Sequence, residues 1–180
     1  STGWDKFDEL MQGGLGAGEL AVAMAGTGAG KSHLLVHLGS KALEEGKTVV
    51  HYTLELSETV VARRYDSCIT GTKLKDLNAF KEFILEKVKD VTGTLIIKEY
   101  ADLFKPKKSY GEKRHDLESI YEDLRGLAQM HQCPVWTVSQ TNRTGYNAEL
   151  VTIESVSEAF SKCFVADFIF TLSRTTEDKN

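Results

Sequence analysis

Residues 25–32 read Ala-Gly-Thr-Gly-Ala-Gly-Lys-Ser, set between an apolar run (Leu20, Ala21, Val22, Ala23, Met24) and a helical pattern (Leu34, Leu35, Leu38, Ala42, Leu43). A strand, a glycine-rich loop and a helix opening on Gly-Lys-Ser form the setting of a phosphate-binding loop. Gly26, Gly28 and Gly30 let main-chain amides turn inward where a Cβ would obstruct them. Lys31 brings a point charge to the β- and γ-phosphates, and the Ser32 hydroxyl is a ligand type that Mg²⁺ accepts. The helix N-terminus adds a fixed positive dipole at the same place. Ala25, Thr27 and Ala29 complete the cradle, with Ala25 standing where the strict pattern has glycine. The expected ligand is a nucleoside triphosphate.

Around this loop, apolar runs alternate with helical patterns, which predicts an α/β fold built on a mostly parallel sheet of about five strands, with helices on both faces. Strands are expected near 19–25, 48–55, 94–100, 134–139 and 166–173, and helices near 31–45, 57–69, 77–90, 115–131 and 154–162. The helix at 115–131 sets Leu117, Ile120, Tyr121, Leu124, Leu127 and Ala128 on one stripe. Gly46 falls where a left-handed helix cap is common. A length of 180 residues fits one domain. The net charge of −4 argues against general nucleic-acid coating while permitting a local basic patch. No apolar stretch is long enough to cross a bilayer and no signal-peptide layout opens the chain, so a cytoplasmic protein without membrane contact is expected. Cys68, Cys133 and Cys163 are odd in number and lack CxxC spacing, which gives neither a disulfide framework nor a zinc site. His33 and His37, four apart without a third ligand, are expected on a helix surface.

In parallel α/β sheets, ligands lie at the carboxyl ends of the strands, where three strands here finish with polar residues. The second ends Thr53-Leu54-Glu55. Glu55 has two readings: a general base orienting the water that attacks the γ-phosphate, or a charge at the start of the helix that Ser57 caps. The fourth strand ends Val138-Ser139-Gln140, where Gln140 would face the γ-phosphate. The third, expected at the centre of the sheet, should supply the acid that holds Mg²⁺; Lys98 interrupts its apolar run, so Glu99 and Asp102 both remain candidates. Beyond it, Lys105, Lys107, Lys108, Lys113 and Arg114, interleaved with Tyr110, form a basic stretch suited to a phosphate backbone, or a solvated charged loop. A second polar loop, 141–152, carries Arg143 and Tyr146 at the same sheet edge.

Several separated segments together resemble one family. The opening Thr2-Gly3-Trp4-Asp5-Lys6-Phe7-Asp8-Glu9-Leu10 with Gly13-Gly14-Leu15 looks like the start of a RecA-type motor core. Leu54-Glu55-Leu56-Ser57, Ser139-Gln140-Thr141-Asn142-Arg143 and Tyr100-Ala101-Asp102-Leu103 before the basic loop resemble the DnaB-like replicative helicases, in their phage branch. The resemblance covers nearly the whole chain. It implies ATP and Mg²⁺ at residues 25–32, Glu55 as catalytic base, Gln140 as γ-phosphate sensor, single-stranded DNA on the two loops, and a homo-oligomeric ring, a hexamer, that contacts a primase. On this reading residues 1–180 are the ATPase domain, without the primase-binding N-terminal domain and the arginine-finger segment, so weak hydrolysis is expected. Members have a further excursion after the Leu-Ile-Ile-Lys-Glu-Tyr strand, and several tens of residues are expected to be missing at Glu99–Ala101, with Glu99 in the register of the magnesium aspartate. The alternatives on the same fold are a recombinase or clock-type ATPase, and a regulatory nucleotide-binding module with little or no hydrolysis.

Overall fold

The computed structural model describes residues 1–71, 93–99, 113–140 and 164–173. In chain order these are α1 (Asp5–Leu10), β1 (Leu20–Ala25), α2 (Lys31–Glu44), β2 (Thr48–Tyr52), α3 (Glu58–Thr70), β3 (Thr94–Lys98), α4 (Lys113–His131), β4 (Val135–Gln140) and β5 (Phe168–Leu172). The helices expected at 77–90 and 154–162 lie outside the described residues.

The five strands form one parallel sheet in the order β2-β3-β4-β1-β5. Strand β1 is fully buried along its length because both its faces are covered. Alternation divides its residues between two cores. Leu20, Val22 and Met24 pack with Leu117, Ile120, Tyr121, Leu124 and Ala128 of α4 on one face. Ala21 and Ala23 pack with Leu34, Leu35, Leu38 and Ala42 of α2 on the other. Each large side chain so buried contributes roughly 1.5–3 kcal/mol on leaving water. The three-layer arrangement therefore follows from a continuous apolar strand between two amphipathic helices.

Helix α2 stops as its sequence dictates. Gly46 takes φ +73°, Lys47 N–H donates to the Ala42 carbonyl at 2.9 Å and Gly46 N–H to that of Leu43 at 3.0 Å. This pair of bonds closes the helix in the motif that favours glycine. On the α4 side, Arg125 donates to the Val165 carbonyl (2.5 Å) and to Asp167 (2.6 Å), whose other oxygen accepts the Leu20 N–H at 2.9 Å. That clamp joins α4 to the starts of β1 and β5.

Two features differ from the sequence expectation. Strand β3 is not the middle strand; β4 is, lying between β3 and β1. Helix α1 has no counterpart among the expected elements, since six residues are too few to show a period. It is held by tertiary contacts: Asp8 accepts the Thr2 N–H at 2.6 Å, and Phe7 meets the rings of Phe168 and Phe170 edge-on at 5.6 and 4.8 Å. Trp4 stacks on His37 at 4.0 Å, and His37 Nε2 lies 3.0 Å from the Thr2 carbonyl. His37 is thus covered by the N-terminal segment, whereas His33 is exposed.

Candidate phosphate site and its acid

The loop between β1 and α2 has the geometry its glycines permit. Gly28 and Gly30 take φ +78° and +97°, conformations that side chains resist. A Cβ on Gly28 would meet nothing within 4 Å, so the cradle is open there. Gly30 is the N-cap of α2, no side chain caps that end, and its first turn holds no acid. The positive end of a 14-residue helix therefore faces the loop without an opposing carboxylate of its own. Lys31 is buried, and its ammonium donates to the carbonyls of Ala25 (3.0 Å) and Gly26 (2.8 Å) at the top of β1.

Two neighbouring strands bring side chains to this loop. Gln140, the last residue of β4, lies in register with Ala25, and its amide donates to the Thr27 hydroxyl at 2.6 Å. Glu99 directly follows β3 and is completely buried. Its N–H donates to the Tyr52 carbonyl of β2 at 2.8 Å. One carboxylate oxygen accepts the Ser32 hydroxyl and the other that of Thr53. Of the two acids left open by the sequence, Glu99 is thus joined to the phosphate-loop serine, and Asp102 lies outside the described residues.

Glu55 is exposed in the turn between β2 and α3. Strands β3 and β4 separate β2 from β1, so Glu55 does not reach the loop by strand adjacency. The turn is anchored by Thr53, whose hydroxyl accepts the N–H groups of Glu55 (3.3 Å) and Leu56 (3.2 Å). Ser57 is the N-cap of α3 by position but makes no side-chain cap. Behind the turn, His51 Nδ1 and the Tyr65 hydroxyl are 3.0 Å apart, and His51 Nε2 has no partner among the described residues. Burial holds the His51 imidazole below its usual range, against the opposing charge of Glu99, and burial pushes the Tyr65 phenol up. Lys105, Lys107, Lys108 and Arg143 lie outside the described residues; Lys113 and Arg114 open α4, with side chains outside them.

No family model matches the chain. A DnaB-like replicative helicase of Enterobacteria phage T4 is 26% identical over 214 residues, an alignment that takes in 95% of this chain and 45% of that protein. This chain is similar to the DnaB-like replicative helicases. It spans less than half the length of that relative. Among solved structures, one ATPase domain superposes with a TM-score of 0.83 at 14% identity, over 97% of this chain and 75% of that one. A DnaB-like replicative helicase, described together with its interactions with primase, gives the same TM-score and identity over 100% of this chain and 53% of its own. The fold is the RecA-like α/β core.

The role of Thr53 and the Thr27–Gln140 bond escaped the sequence reading. The signal was a threonine just past the end of β2 and two residues before Glu55, a spacing that lets a hydroxyl hold the turn.

Proposed function

We propose that this chain is the ATP-binding, Mg²⁺-dependent motor core of a replicative DNA helicase acting on single-stranded DNA. The observation that carries the reading is the bond between Ser32 and Glu99, which puts a buried acid against the phosphate-loop hydroxyl. Oxygen donors of this kind suit Mg²⁺, which commonly uses one or two protein ligands and completes its shell with water and substrate phosphates. When bound, the ion neutralises charge on the β- and γ-phosphates.

The protein groups have separate tasks in this scheme. Main-chain amides at residues 26–32 bind the phosphates, and Lys31 leaves its two carbonyl partners to meet them. Ser32 can donate its proton to Glu99 while offering a lone pair to the metal. Glu55 orients or deprotonates the attacking water. Gln140 exchanges its bond to Thr27 for one to the γ-phosphate, which ties nucleotide state to the segment that follows β4. Single-stranded DNA is held by Lys105, Lys107, Lys108, Lys113, Arg114 and Arg143 in a homo-oligomeric ring, with primase as a further partner, in the host cytoplasm. The helicase reading is supported by the similarity to the phage replicative helicase and primase as a partner by the interaction described for the structural neighbour, while the DNA contacts rest on the basic character of these residues.

A shortened excursion after β3 belongs to the same reading. The alignment with the phage helicase runs over 214 positions yet takes in 95% of a 180-residue chain, so the relative holds residues without a counterpart here. A tryptic peptide joining Glu99 directly to Tyr100 and Ala101 is the expected product; its absence would contradict the shortening.

The functional test is Glu55→Gln. Removing a general base lowers turnover by about 10²–10⁴-fold. ATP binding should survive while the weak hydrolysis expected of the native chain is lost. Unchanged turnover would instead favour a nucleotide-binding module without motor chemistry.

A further inference from the structure

We infer that Thr53 is a positioning residue whose hydroxyl couples the buried acid at the phosphate loop to the turn that carries Glu55; the inference rests on the nucleotide-binding reading above. A threonine hydroxyl offers one donor and two acceptor positions. All three are used here. The proton goes to Glu99, and the lone pairs take the N–H groups of Glu55 and Leu56. With both acceptor positions occupied by main-chain donors, the single proton is directed at the carboxylate.

Topology explains why such a link is needed. Strand β2 is separated from the phosphate-loop strand by β3 and β4, so the Glu55 turn has no ladder contact with β1. Besides the packing of α2 on α3, a hydrogen-bonded path of side chains joins the phosphate-loop serine to that turn: Ser32 to Glu99, Glu99 to Thr53, and Thr53 to the amides of Glu55 and Leu56. The main-chain bond from Glu99 N–H to the Tyr52 carbonyl, 2.8 Å, runs beside this path and fixes the spacing of the two strand ends. Ser57 provides no side-chain cap for α3, so Thr53 supplies the side-chain anchor of the turn. A change in how the Glu99 carboxylate is engaged is therefore passed to the Glu55 turn by this hydroxyl, beside the main-chain bond that ties Glu99 to Tyr52.

Thr53→Val keeps the β-branched shape and removes the proton and both lone pairs, whereas Thr53→Ser keeps them. Thr53→Ala is a second deletion variant should valine prevent folding. The experiment uses the whole chain and a fluorescent, non-hydrolysable ATP analogue. Affinity is measured in EDTA and across a Mg²⁺ titration, and kcat and KM for ATP are measured separately. A hydrogen bond to a charged group is strong enough that its loss corresponds to about tenfold or more. Thr53→Val should leave analogue affinity in EDTA within about twofold, raise the Mg²⁺ concentration at half-saturation about tenfold, and lower kcat about tenfold with little change in KM. Thr53→Ser should stay within about threefold of the native chain in every readout. A residue that merely shaped the turn would lower kcat without moving the Mg²⁺ requirement. An unmoved Mg²⁺ half-saturation in both deletion variants, or a serine variant as impaired as valine, overturns the inference while native binding stands. Failure of the native chain to bind the analogue removes the nucleotide reading itself, and the coupling with it.

Discussion

The same one-methyl change should have opposite signs in two helices of this protein. Gly39 lies buried in α2 where α3 crosses it. A Cβ there would lie 2.7 Å from Cε1 and Cζ of Tyr65 and overlap its hydroxyl. The tyrosine would have to move and would give up its 3.0 Å contact with His51 Nδ1, leaving an imidazole whose other nitrogen already has no partner among the described residues. Overpacking costs about 1–3 kcal/mol and an orphaned polar group about 1–3 kcal/mol. Helix propensity returns about 1 kcal/mol. The net loss for Gly39→Ala is about 1–5 kcal/mol, a fall in Tm of roughly 2–20 °C for a domain of this size. Gly126 in α4 is exposed, and a Cβ there would meet nothing within 4 Å. Gly126→Ala should therefore raise stability by about 0.4–1 kcal/mol. Thermal and urea unfolding of the two variants beside the native chain decide the matter. A Gly39→Ala protein as stable as the native one would refute the close approach of α2 and α3 on which the placement of the Glu55 turn depends.

Two further outcomes follow from the described geometry. Burial holds both His37 and His51 below the ordinary imidazole range of about 6.5, against a raising influence from the Thr2 carbonyl on the first and from Glu99 on the second. The unfolded chain binds these protons more readily, so stability is full above about pH 6.5 and falls as the pH drops below it. The urea midpoint should be lower at pH 5.5 than at pH 7.5, with the difference reduced in His37→Gln and His51→Gln; a flat midpoint would contradict this. Gly30→Ala places a side chain at φ +97° with only ordinary contact, 3.9 Å from Leu172 Cδ2. The cost is then backbone strain alone, about 1–2 kcal/mol, visible as a small drop in Tm, and a clash-sized loss would count against the open cradle.

Much of the fold was legible because its signals are local. The apolar run of β1, the stripe of α4 and the Gly46 cap each follow from a few consecutive residues, and the structure places all three where expected. Strand order was not legible, because it depends on which strands pair across distant sequence; the middle position expected for β3 belongs to β4. Helix α1 was hidden because Phe7, Trp4 and Asp8 find their partners in β5, α2 and the N-terminal residues. At the candidate site, residue types pointed to Lys31, Ser32 and Gln140, and the structure brings all three side chains to the loop between β1 and α2. That Glu99 meets the phosphate-loop serine is seen only in a hydrogen bond between residues 67 apart, which no spacing rule supplies. Thr53 remained hidden for the same reason, its carboxylate partner lying 46 residues away.

The central claim is that residues 25–32 cradle the phosphates of a nucleotide with Lys31 as their cationic partner. Equilibrium titration of a fluorescent ATP analogue with Mg²⁺ into the native chain and into Lys31→Ala tests it most directly. The account predicts saturable binding by the native chain and an affinity about tenfold or more weaker in the variant, the scale of a lost charge-assisted contact. Equal affinities, or no binding by the native chain, would contradict it.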